Sequence, residues 1–247
     1  MKMSNTFKLG LLIFGLGFIG ILTLLTMEMS IPPSVLEKTG RSLTLREFKL
    51  IALINPTVLL LIMVVIGTLT YKRVGLPIPI FEKLVYKESK NIDYRSLVVY
   101  GVKGGIATGL FLVFFSFYSS KYITLEIDYF TPNILNRLFY GGVTEEVLLR
   151  FGVMSLFIWL LSLLFKSKPN WIYWAGILLA GLLFGLGHLP VVFNAMADPS
   201  LAVILYIVFG NMVGGSIFGW LYWKKGLESA MIAHAFAHVI MLSLGAG

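Results

Sequence analysis

Six side chains in the second half of the chain are of types that do chemistry, and they stand where such groups are costly. Glu145, Glu146 and Arg150 share the stretch GGVTEEVLLR, His188 closes FGLGHLP, and His234 and His238 frame HAFAH. All three histidines of the chain belong to this set. Ionisable groups inside apolar segments are expensive, so each needs a partner or a reaction. Glu146 and Arg150 are spaced i,i+4 and can pair on one helix face; a pair suits charge in a low-dielectric site. Glu145 lies about 100° further round the helix and is left to aim at a bundle interior, although both acids could instead form one charge cluster that braces the helix. His188 shares a face with Phe184, and such a histidine is often only a hydrogen-bonded packing residue. The spacing of His234 and His238 puts two imidazoles a turn apart, able to bind a metal together or to donate two aligned N–H groups. A carboxylate base, imidazoles and N–H donors are what hydrolysis of a peptide by activated water requires.

The elements that must position these groups follow from composition. Of 247 residues, 57% are hydrophobic and 13% charged, with a mean hydropathy of +0.87. A soluble domain is about 45–50% apolar and about 25% charged, so soluble, disordered and coiled-coil classes are excluded. The absence of cysteine removes disulfides and thiolate chemistry. A net charge of +8 on a membrane protein implies basic loops facing anionic lipid rather than nucleic acid. Apolar segments run over about 8–27, 48–71, 96–118, 138–165, 171–193, 200–223 and 227–245. Each is long enough to supply the roughly 20 residues that cross a bilayer, the seventh being the shortest, and only self-satisfied backbone survives there. The fold class is therefore all-α, a polytopic transmembrane bundle of about seven, or eight, helices. It forms a single integral membrane domain over 1–247, with a catalytic core at 130–245 and accessory transmembrane helices over 1–129.

Local signals mark the ends. Thr44 to Glu47 has capping-box spacing. Thr131-Pro132 and Asp198-Pro199 read as cap-plus-proline starts, Asn170 as a cap, and Gly226 as the stop after Lys224-Lys225. Pro32-Pro33 and Pro77/Pro79 mark loops, and residues 80–90 form an amphipathic interfacial stretch. The first segment is too long for a signal-peptide core and reads as a retained anchor. Small residues four apart, Gly105/Gly109, Gly181/Gly185, Gly210/Gly214 and Gly215/Gly219, predict close helix packing. Lys103 either snorkels to the interface or attracts a substrate carboxylate.

An N-terminus on the cytoplasmic side places about twice as many Lys and Arg inside as outside, with Lys2, Lys38, Arg41 and Lys90 among those counted. The protein is then a multi-pass protein of the cell membrane. In that frame Glu145, His188, His234 and His238 lie roughly 8–16 Å below the same surface at 1.5 Å per residue. Independent packing residues would match in depth only by chance.

The three motifs in this order, Glu145-Glu146-x-x-x-Arg150, Phe184-x-x-x-His188 and His234-x-x-x-His238, resemble those of the CAAX-protease and bacteriocin-processing (Abi-type, CPBP) intramembrane peptidases, which include the type II CAAX prenyl endopeptidases. The resemblance covers about 130–245. It implies an intramembrane endopeptidase acting on a membrane-associated peptide or protein. Glu145 and His188 would activate water, His234 and His238 would hold the oxyanion, and Glu146–Arg150 would be a structural pair. His238 departs from the Asn or Asp usual at its position. No cofactor is required by this reading; the alternative is a metalloendopeptidase with zinc on His188, His234, His238 and Glu145. Buried Glu, Arg and His also suit a proton-coupled transporter, and a non-catalytic immunity or scaffold protein would keep the cavity without using it.

Overall fold

The computed structural model describes residues 4–31, 42–87, 91–121, 130–196 and 198–245. The Pro32-Pro33 loop, the charges Lys2, Lys38, Arg41 and Lys90, and the end of the 80–90 stretch lie outside the described residues. The described chain is a helical bundle: α1 (Asn5–Thr23), α2 (Leu45–Ala52), α3 (Ile54–Thr70), α4 (Pro79–Tyr86), α5 (Tyr94–Ser119), α6 (Asn136–Phe165), α7 (Asn170–Gly187), α8 (Leu189–Ala195), α9 (Leu201–Lys225) and α10 (Leu227–Ser243). Six stretches are long and apolar enough to cross a membrane, with α2–α3 and α7–α8 each counting as one. The seventh expected segment, α10, has 17 residues and is shorter than the others. A two-residue antiparallel pair, Glu28–Met29 with Phe130–Thr131, ties the exit of α1 to the entry of α6.

Two expected helices are each broken in two, and proline explains both breaks. The ring of Pro56 would collide with the carbonyl of Ala52, so α2 stops there and α3 begins at Ile54. Pro190 does the same to α7, which ends at Gly187 and leaves His188 at the break. The Thr44–Glu47 capping box forms as expected. Three expected caps do not. Asn133, not Thr131, accepts the backbone N–H groups of Leu135 and Asn136 at the start of α6. Ser200, not Asp198, accepts from Val203. Asn170 is the first residue of α7, preceded by Pro169 without a side-chain cap.

The glycine pairs pack helices, as their spacing predicts. A Cβ on Gly105 or Gly109 of α5 would stand 2.6 and 3.0 Å from the carbonyls of Ala233 and Ala237, so α10 lies directly against α5. On α7, Gly181 and Gly185 make the same close approach to the carbonyls of Met212 and Val208 on α9. The helix that carries the two glutamates differs from expectation. From Asn136 to Met154 α6 is wound as a π-helix, wider than the α-helix assumed from the sequence. Its first turns are fixed to α1 by Asn136 Nδ2 donating to the Thr23 carbonyl at 2.5 Å and Thr144 Oγ1 to the Gly17 carbonyl at 2.7 Å.

Candidate active site

Four elements bring the singled-out side chains together. Glu145 and Glu146 come from the π-helical turns of α6, His188 from the α7–α8 break, and His234 and His238 from α10. Glu145, His188, His234 and His238 all line one cavity of about 460 Å³. Its floor carries these polar groups together with Asn136, Arg137 and Asn211, while Leu24, Met27, Leu112, Val191 and Phe218 make it apolar elsewhere.

Glu146 is fully buried, and its Oε1 has two partners. It accepts the Nδ1–H of His234 at 2.8 Å and lies 3.3 Å from Arg150 Nη1. The pairing with Arg150 is present, yet Glu146 is more than the structural partner of Arg150: it also orients a histidine of the cavity, which spacing within one helix could not reveal. The guanidinium is held over the rings of Phe184 and Phe218 at 4.9 and 5.4 Å, an arrangement that stabilises a desolvated cation. Gly215 makes room for it, since a Cβ there would stand 2.9 Å from Nη2. The Gly215/Gly219 pair therefore serves the ion pair as well as helix packing.

Glu145 faces the cavity as its position beside Glu146 predicts. Its side chain keeps 18% of its surface accessible, and Oε2 lies 3.8 Å from His234 Nε2. His234 is gripped on both faces, stacked 4.7 Å from Phe218 and 5.0 Å from His238. Its Nδ1 proton is committed to Glu146, so Nε2 carries a proton only when the ring is charged. His188 donates Nδ1–H to the Phe184 carbonyl at 2.8 Å and leaves Nε2 as an acceptor. Phe184 stands edge-on to both His188 and His234, at 4.8 and 5.8 Å. His238 packs against Gly141, where a Cβ would stand 2.7 Å from its Nε2.

Several contributors were not singled out from the sequence. Asn136, Arg137 and Tyr140 enter the cavity because α6 begins one turn before the motif. The unexplained Gly141-Gly142 step was the available signal, and it marks the close approach of α10. Phe218 left no signal, being one aromatic among many on an apolar helix. Lys103 is exposed on α5 and is not among the cavity-lining residues.

Residues 128–240 match the family described as type II CAAX prenyl endopeptidase Rce1-like. Over this segment, a little under half of the chain, the sequence is similar to that family. The segment contains all six singled-out residues, and the family is one of proteases. Neither the curated proteins nor the solved structures show a significant match to the chain. Among the described residues, no three His, Asp or Glu side chains are arranged to hold a metal. The Nδ1 contacts of His188 and His234 leave Nε2 of each ring unengaged by hydrogen bonds among the described residues.

Proposed function

We propose that the protein is an intramembrane endopeptidase that cleaves a membrane-associated peptide or protein by water activated at Glu145 and His188. What supports this reading is the meeting of Glu145, His188, His234 and His238 around one cavity, all within the segment similar to the CAAX-protease family. Glu145 takes a proton from water while the water oxygen attacks the scissile carbonyl carbon. The oxyanion that forms accepts hydrogen bonds from His238 N–H and, once the ring is charged, from His234 Nε2–H. Glu146 holds that charged ring in place. Glu145 hands that proton to the free Nε2 of His188, and as the C–N bond breaks His188 passes it from Nε2 to the departing amine, while the new carboxyl group leaves with the other fragment.

This assignment modifies the expected oxyanion pair. His234 donates only as an imidazolium, because its other proton is spent on Glu146; His238 is the donor available in the neutral state. The decisive experiment is purification in detergent and assay on a peptide library, comparing wild type with Glu145→Gln, His188→Ala and His234→Ala. Loss of cleavage by correctly folded variants is the expected result, and unchanged cleavage by Glu145→Gln would dismiss the mechanism. Chelators leave a metal-free enzyme active; inactivation reversed by zinc would replace activation by Glu145 alone with a metal-assisted step.

A further inference from the structure

At the end of the bundle opposite the cavity, a second buried glutamate does something the proteolytic site does not use. Helix α4 begins at Pro79 without a capping side chain of its own. Its first free N–H groups are satisfied from 147 residues away: Ile80 N and Phe81 N donate to Glu228 Oε1 at 2.7 and 3.1 Å. A carboxylate at a helix N-terminus is favourable both as an acceptor and as a charge on the dipole. Leu227 N donates to the Pro77 carbonyl at 3.1 Å, and Gly226, at φ +120°, sits so close to Pro79 that a Cβ would stand 2.8 Å from its ring. The start of α10 is thus fastened to α4, and α10 is the helix that carries His234 and His238.

The outer face of α4 looks away from the bundle. Lys83, Leu84 and Lys87 are exposed, Leu84 at 63%. Around them the cations outnumber the acids, and each described acid is already engaged. Glu82 serves Tyr71 and Lys72, Asp93 caps α5 through Ser96 N, and Glu228 caps α4. Lys87, Lys168 and Lys224 are exposed and have no carboxylate partner among the described residues. They share this end of the bundle: Lys168 donates to the Arg73 carbonyl, and Lys224 lies in the last turn of α9, one residue before Lys225, which reaches Ser96. An apolar residue between two lysines on an amphipathic helix, set in an uncompensated basic surface, is the chemistry that meets anionic headgroups.

We propose that α4 and the basic residues around it bind anionic phospholipid, and that the Glu228 clamp passes this docking to α10 and so to His234 and His238. The coupling to cleavage rests on the proteolytic reading; the lipid docking does not. The purified full chain in neutral detergent is titrated with short-chain phosphatidylglycerol, with Tm as the readout, and is also reconstituted into phosphatidylcholine vesicles with and without phosphatidylglycerol for cleavage assays. Phosphatidylglycerol is expected to raise Tm, and half-saturation should weaken about fivefold for each lysine removed in Lys83→Gln and Lys87→Gln. Inorganic phosphate at equal concentration should leave Tm unchanged, which separates a lipid site from a free-anion site. Cleavage should rise several-fold in anionic vesicles for wild type, while Lys83→Gln/Lys87→Gln keeps only the phosphatidylcholine rate. Glu228→Ala, which removes the acceptor, should keep the Tm response and lose the rise in cleavage, and a rise as large as that of wild type would overturn the coupling. Equal Tm with and without phosphatidylglycerol, or an undiminished response in the double lysine variant, overturns the docking. A lysine-dependent Tm response with no cleavage in any vesicle sinks the proteolytic reading and leaves the docking standing.

Discussion

Glu146 and Glu228 are both buried glutamates in apolar surroundings, and they meet the cost of burial in different ways. Glu228 spends one oxygen on two backbone N–H groups of α4, partners that cannot change their protonation. Glu146 faces a guanidinium and an imidazole, and the imidazole can gain or lose a proton. The first arrangement holds two elements together. The second holds a titratable ring at a cavity where Glu145 lies 3.8 Å from its other nitrogen. A buried carboxylate satisfied by backbone is a joint, and in the proposed mechanism the one satisfied by a cavity-facing histidine belongs to a proton path.

The sharpest way to break this contrast is Glu145→Gln. Among the described residues Glu145 has no hydrogen-bond partner, so the substitution should lower cleavage by a factor of about 10²–10⁴. Thermal denaturation should be unchanged beside wild type. A parallel fall in Tm would show that Glu145 braces α6 and that the contrast with Glu146 is misplaced.

Glu146→Gln should do both kinds of damage. It leaves Arg150 buried without its counter-charge, at a cost of about 3–5 kcal/mol, and it weakens the hold on His234. A chemical or thermal unfolding curve measures the first effect, and residual cleavage in the surviving folded fraction measures the second. Full stability in this variant would mean that the rings of Phe184 and Phe218 alone suffice for the guanidinium.

How much of this was legible in the sequence depends on whether a partner lay on the same helix. The Glu146–Arg150 pair and the shared face of His234 and His238 are matters of spacing, and both are present. Shared depth correctly gathered Glu145, His188, His234 and His238, because position along a spanning helix is nearly a coordinate. The bond from Glu146 to His234 crosses from α6 to α10, and no periodicity encodes it. The π-winding of α6 was equally hidden, since a wider turn keeps the same apolar composition. Proline announces the breaks near Ala52 and His188, yet hydropathy that continues through both makes each read as an uninterrupted span. Thr131 and Asp198 have cap chemistry, but Asn133 and Ser200 take that role at the helix starts, and Asn170 lies inside the helix it would cap.

Glu228→Gln tests the joint. The amide oxygen can still accept from Ile80 N and Phe81 N, so only the charge-assisted part is lost, about 1–2 kcal/mol. Unfolding should become slightly easier, and cleavage in neutral detergent should change less than twofold on the scale where 1.4 kcal/mol is tenfold. A loss of activity as large as that of Glu145→Gln would erase the distinction between joint and proton path.

The smallest expected effect belongs to His238→Asn. In the proposed mechanism His238 supplies an uncharged N–H to the oxyanion, and an asparagine amide carries the same donor on a shorter stem. The site is tight on one side, where Gly141 leaves little space at His238 Nε2, and Asn fits because it is smaller than the ring it replaces. It also removes the ring stacked on His234 at 5.0 Å, which costs some packing but leaves the hydrogen bond from His234 to Glu146 intact. Cleavage should therefore persist within about tenfold, an interval of about 1.4 kcal/mol in transition-state stabilisation. His238→Leu, which keeps bulk and removes the donor, should cost about 10²–10³, as loss of one oxyanion donor does. If the asparagine variant is as inactive as the leucine variant, the imidazole itself is needed, and a role as proton carrier or metal ligand takes the place of the neutral donor.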